Sequence, residues 1–143
     1  MKVVATLHAD WLTDKAYNVT TDLINSGTEF NYIFANNDMM AQGCYNALKD
    51  AGKENIPIVS TGGSPDGFKM LQDGIEAANM TAPVSIQGVK TFMNLYNKVA
   101  LGEDPAEKFT ALPVIPVSAD DTSSYIAWDD YAAAYKYLAR TNN

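Results

Sequence analysis

The chain has 143 residues, 47% of them apolar and 19% charged, a balance that fits one ordinary folded domain and argues against a disordered chain. Ten lysines and arginines against seventeen acids leave a formal charge of −7, so no basic stripe is available to neutralise a phosphate backbone and nucleic acid is not the expected partner. A single cysteine, Cys44, excludes an internal disulfide framework and a cysteine-based zinc site.

The opening MKVVATLHAD holds only a brief apolar run, too short for a signal-peptide core or a membrane span, so no export signal is expected in this chain. Its direct entry into a strand-like segment also suits a piece of a longer protein whose address label lies upstream. Residues 3–7 read as a short buried strand. Over residues 13–26, Ala16, Val19, Leu23 and Ile24 recur at helical spacing and Gly27 marks the stop. Residues 32–35 form a second strand leading into Asn36, Asn37 and Asp38, with Asp38 as the expected N-cap of a helix. That helix carries the stripe Met40, Cys44, Ala47, Leu48 and Ala51 and ends at Gly52.

A third strand spans residues 56–59 and is expected to stop at the pair Gly62 and Gly63, after which Ser64 caps and Pro65 opens a short helix ended by Gly74. Residues 77–81 read as a weaker strand. Ile86, Val89, Met93, Tyr96 and Ala100 mark another helical face, residues 113–117 a last strand, and residues 128–139 a closing helix with Tyr131, Ala134, Tyr135 and Leu138 on one side. Strands alternating with helices predict an α/β fold, a mostly parallel sheet with helices on both faces. No internal repeat stands out, and residues 102–108 are the most linker-like.

In such a sheet ligands approach the carboxyl ends of the strands, which singles out the residues just beyond each strand. Trp11 offers a flat apolar face for the C–H side of a sugar, or else half-buried packing. Asn37 can both donate to and accept from a hydroxyl, or else shape the turn before the helix. The glycine loop around Thr61 and Gly62 lacks the lysine and hydroxyl of a phosphate cradle. It is either a tight turn into a capped helix or bare backbone that a ligand approaches closely. His8 has no partner by motif, Cys44 lies on an apolar stripe where a thiol is inert, and the Asp129, Asp130 pair suits the first turn of the last helix. No catalytic residue, metal site or cofactor is expected, and the chain is not expected to be an enzyme.

"HADWLTDKAYNV", "FANNDMMAQGCYNALKDAG", "IPIVSTGGSPDGFKMLQDG" and "VIPVSADD", in this order and spacing, resemble the carboxyl-terminal half of type I periplasmic sugar-binding proteins, the ribose- and galactose-binding lineage of ABC-transporter solute-binding proteins. The resemblance runs to about Asp121, and its "NND…A.G…AL..AG" segment is the most specific part. Ligand-sensing domains of LacI-type transcription regulators share much of it and supply the alternative reading. The resemblance implies a non-enzymatic receptor, extracytoplasmic in its full-length form, that closes two α/β lobes on a monosaccharide and delivers it to an ABC permease. Trp11 falls on the sugar-stacking aromatic and Asn37 on a hydroxyl-binding asparagine.

Two departures accompany it. Gly62, preceded by Thr61, stands where ribose and galactose binders present an aspartate, and Gln87 is displaced by several positions from the polar residue after the next strand. The sugar therefore does not carry over, and the ligand-binding set reads as Trp11, Asn37, Thr61, Gly62 and Gln87. The resemblance divides the chain into a partial carboxyl-terminal lobe at residues 1–87, a segment at 88–122 like those that cross back to the amino-terminal lobe, and an extension with a helix at 123–143. Such an incomplete lobe is expected to bind sugar weakly or not at all on its own. Its exposed apolar faces call for the missing amino-terminal lobe, a second chain or a swapped homodimer.

Overall fold

The computed structural model describes residues 1–82, 84–105, 109, 111–112 and 114–141. Its elements in chain order are α1 (Thr13–Asn25), β1 (Ile33–Ala35), α2 (Asp38–Asp50), β2 (Ile58–Gly62), α3 (Pro65–Gln72), β3 (Glu76–Thr81), α4 (Val84–Tyr96), β4 (Ile115–Ser118) and α5 (Tyr131–Thr141), with a π-helical turn, Asn97–Leu101, continuing α4. The strands form one sheet in the order β1-β2-β3-β4. The first three run parallel and β4 returns antiparallel beside β3. The α/β class and the mostly parallel sheet are those expected from the alternation of elements.

Strand register decides which side chains share a face. Ile33 pairs with Ile58 and Ala35 with Ser60, and this face packs against α1, α2 and α3 through Ala16, Ala41, Cys44, Leu48 and Met70. The intervening residue Phe34 points the other way and is exposed, as is Met80 on β3, so that face is open where helices were expected on both. A second apolar cluster joins α4, α5 and the strap before α5 through Ile86, Ile126, Ala134 and Leu138. No helix among the described residues is long and apolar enough to cross a membrane.

Two expectations need correction. Residues 3–7 form no strand, and Val3, Val4 and Leu7 are exposed. A strand exists through its ladder, and no described strand lies alongside this segment to accept its hydrogen bonds. The cap of α2 is Asn37, whose side-chain oxygen accepts from Met40 N at 2.7 Å; Asp38 is the first helical residue and is buried. The third strand, read over residues 56–59, spans Ile58–Gly62 and stops at the glycine pair as expected, its last residues kept in the sheet because β3 pairs with it as far as Thr81. Part of the linker-like stretch, residues 106–108, and Pro113 at the head of the expected last strand lie outside the described residues.

Candidate functional site

Parallel pairing brings the carboxyl ends of β1, β2 and β3 to one edge. At the first of these, Asn37 Nδ2 donates to the backbone oxygen of Trp11 at 3.4 Å, joining the turn between β1 and α2 to the turn before α1. Trp11 is 63% exposed, and both it and Asp10 hold left-handed backbone, with φ of 65° and 47°. A bulky side chain avoids that region, so this turn is strained while its indole stays in solvent. Lys15 pairs with Asp10 across the turn and holds the Asp10 carboxyl below its usual range, chiefly by hydrogen bonding.

Asp38, 3% exposed, is the hub behind this edge. Its Oδ2 accepts from Gly63 N (3.2 Å), Ser64 N (2.9 Å) and Ser64 Oγ (2.5 Å), and its Oδ1 from Ser60 Oγ (3.0 Å) and Asn79 Nδ2 (2.7 Å). One carboxylate thus ties the start of α2 to β2, the glycine loop, the cap of α3 and β3. The glycines make room for it: a Cβ on Gly62 would lie 2.4 Å from Asp38 Oδ2, and one on Gly67 2.6 Å from its carboxyl carbon. Gly63, at φ 117°, faces a different neighbour, since a Cβ there would stand 3.1 Å from Trp128 Nε1.

Glu76, fully buried, lies in the same cluster. Its Oε1 meets Ser60 Oγ at 2.9 Å and its Oε2 meets Asn79 Nδ2 at 3.0 Å. Burial, reinforced by the charge of Asp38, pushes its pKa up to about 7 against the pull of its hydrogen bonds from Asn79 and Ser60.

The residues expected from the sequence are therefore not all brought together. Trp11 and Asn37 are neighbours. Gly62 sits at the same edge with its bare side turned to Asp38. Thr61 pairs with Met80 and projects to the face opposite Ser60 and Asp38, half-buried. Gln87 is exposed on the first turn of α4, with no hydrogen bond to the other four among the described residues. Sequence reasoning missed Ser60, Glu76, Asn79, Tyr125 and Trp128. Cys44 is buried, receives a hydrogen bond from Thr20 and has its thiol pushed up by burial, as its apolar stripe suggested. A shallow cavity of about 220 Å³ between α2 and α3, lined by Gln42, Asp66, Lys69 and Asp73 among others, includes neither Trp11 nor Asn37. No group of acidic, histidine or cysteine side chains able to hold a metal occurs among the described residues.

Comparison with known proteins places this architecture. A family model described as a periplasmic binding protein domain matches residues 1–104. A ribose import binding protein of Salmonella typhimurium is 35% identical over 107 residues, covering 75% of this chain and 36% of the relative. Its counterpart from Escherichia coli is 34% identical over 110 residues with the same coverage. Among solved structures, a solute binding protein from Bacillus halodurans with bound myo-inositol superposes at a TM-score of 0.80 and 23% identity over 92% of this chain and 44% of that one. A galactofuranose binding protein does so at 0.74 and 25% over 96% and 45%. The chain spans 36% of the length of these curated relatives and under half of the solved chains. On these matches and this fold, the chain belongs to the periplasmic binding protein domain family, a family of substrate-binding proteins.

Proposed function

We propose that this chain forms one wall of a carbohydrate-binding cleft in a solute-binding protein of an ABC transporter, with no catalytic step of its own. The observation that carries the reading is the pairing of Asn37 with Trp11 at one sheet edge. It holds an exposed indole on strained backbone, at the end where parallel sheets receive ligands. The relatives named for ribose, and the solved relatives named for galactofuranose or holding myo-inositol, support a monosaccharide-like ligand.

A second lobe completes the cleft on this reading. The matched relatives are more than twice as long, and the exposed residues Phe92, Leu95, Tyr96, Val99 and Leu101 along α4 and its π-turn offer the apolar surface such a lobe would cover. Residues 1–87 then belong to one lobe and residues 88–122 to the connection between lobes. The full-length receptor works outside the cytoplasm and docks on a permease. Trp11, Asn37, Thr61, Gly62 and Gln87 remain the proposed ligand contacts. Asn37 serves through whatever donor and acceptor capacity its cap and its bond to Trp11 leave free.

Mass spectrometry of small molecules retained by the two-lobed protein, followed by calorimetry with the retained compound, tests the reading. A retained monosaccharide or related polyol that rebinds at micromolar concentration is the expected result. A retained amino acid, nucleotide or metal would refute it.

A further inference from the structure

The glycine loop is covered from an unexpected direction. The strap that precedes α5 crosses it, and Trp128 N–H donates to Gly63 O at 2.9 Å while its indole Nε1–H donates to Gly62 O at 3.3 Å. Tyr125 anchors the same strap, its hydroxyl donating to Ser64 O at 2.7 Å and its ring packing on Phe68 with centroids 4.9 Å apart. Ile126 is buried in the second apolar cluster. Against these fixed points Trp128 is left 40% exposed.

The two tryptophans are joined by a short run of contacts. Asn37 bonds to Trp11, the adjacent Asp38 accepts from Gly63 N, and Gly63 O accepts from Trp128. Both tryptophans therefore stand at the same sheet edge, Trp128 with its indole against the glycine pair. Because the Trp128 Nε1–H is engaged with Gly62 O, the ring offers a ligand only its apolar surface. A rigid indole whose polar end is already satisfied suits stacking on the C–H face of a sugar ring.

We propose that Trp128 is a second aromatic wall of the carbohydrate site, covering the glycine pair so that a ligand there meets an indole face in place of bare backbone or a carboxylate. This rests on the carbohydrate reading above. It assigns a specificity role at this edge of the site: a C–H or deoxy surface is favoured over a pair of hydroxyls, which an apolar ring leaves without partners.

The test uses the two-lobed protein and four probes, D-ribose, D-allose, D-galactose and its 6-deoxy counterpart D-fucose. The indole N–H resonance of Trp128 is identified by its loss in Trp128→Phe and followed as each sugar is added, while calorimetry gives the affinities. For any sugar that binds, the Trp128 resonance should move with saturation. Trp128→Ala should weaken binding at least tenfold, and Trp128→Phe, which keeps an aromatic face, by less than threefold. A sugar that binds while leaving both the resonance and the Trp128→Ala affinity unchanged overturns the assignment and leaves the carbohydrate reading standing. If neither these four nor myo-inositol nor the compound retained by the two-lobed protein gives heat or moves the Trp11 resonance, the carbohydrate reading falls, and this inference with it.

Discussion

The side-chain amide of Asn37 does two structural jobs, accepting from Met40 N with its oxygen and donating to Trp11 O with its nitrogen. The two can be separated. Asn37→Asp keeps the capping oxygen and loses the donor, so α2 should retain its stability while the Trp11 turn loosens and sugar affinity falls at least tenfold. Asn37→Ala loses both, and should in addition cost about 1 kcal/mol of stability, the usual worth of an N-cap. Urea denaturation and calorimetry on the two variants check the separation. Equal destabilisation in both would show that the bond to Trp11, not the cap, holds this corner.

Sequence reading found the edge but not what lies beneath it. Trp11, Asn37 and the glycine pair were legible because strand ends and helix starts carry local signals. The Asp38 hub was not, because its donors come from β2, the loop and β3, up to 41 positions away. Glu76 and Asn79 were hidden for a further reason. Residues three apart on a regular strand point to opposite faces, yet both meet Ser60 Oγ, and the register shift between Ile58 and Val59 places Ala77 in a bulge that turns them to the same side. Residues 3–7 misled for the converse reason, since an apolar run says nothing about whether a neighbouring strand is present to pair with it. Gly62 and Gly67, five apart and both crowding one carboxylate, were the available trace of the hub.

Restoring the family's aspartate at the glycine loop is the obvious specificity exchange, and the geometry argues against it. In Gly62→Asp the new Cβ falls 2.4 Å from Asp38 Oδ2 and brings a second negative charge to a buried carboxylate. Overpacking alone costs about 1–3 kcal/mol. The expected outcome is a protein destabilised by at least that much, with ligand preference changed only as a by-product. Thermal melts together with a sugar panel decide it, and a variant of native stability that gains a new sugar would contradict the packing argument.

Glu76 makes stability depend on pH in an unusual sense. Five close contacts link Asp38 Oδ1, Ser60 Oγ, Asn79 Nδ2 and the two Glu76 oxygens, while Ser60 and Asn79 supply only three hydrogens. A proton on Glu76 Oε1, donated to Ser60, frees Ser60 to donate to Asp38 and Asn79 to donate to Asp38 and Glu76 Oε2. The folded pKa of about 7 lies above the ordinary 4.5, so the native state binds the proton more tightly. The resulting stability is fully present below pH 4.5, declines as pH rises, and is gone above pH 7. At about 1.4 kcal/mol per unit it amounts to about 3 kcal/mol. Asp10 and Asp121, held below the ordinary 3.8, act only in more acid solution. Glu76→Gln, neutral and able to donate, should flatten the profile between pH 4.5 and 7 and match or exceed the parent at pH 8. Urea midpoints at pH 4.5, 6 and 8 for both proteins check this, and an unchanged slope in the variant would place the pH dependence elsewhere.

The strained turn at Asp10 and Trp11 gives the last test, because strain and ligand contact make opposite demands on one position. Left-handed backbone at a bulky residue costs on the order of 1–3 kcal/mol, and glycine adopts it freely. If the indole is held out for a sugar, little packing is lost when it is removed, since Trp11 is 63% exposed. Trp11→Gly should then melt at or above the temperature of the parent while losing sugar affinity at least tenfold. Trp11→Phe, which keeps both the strain and an aromatic face, should retain the parent's melting temperature and most of its affinity. Differential scanning calorimetry and sugar titrations on the three proteins separate the two demands. A marked fall in the melting temperature of Trp11→Gly would mean that the indole serves packing, and the stacking role assigned to it would be lost.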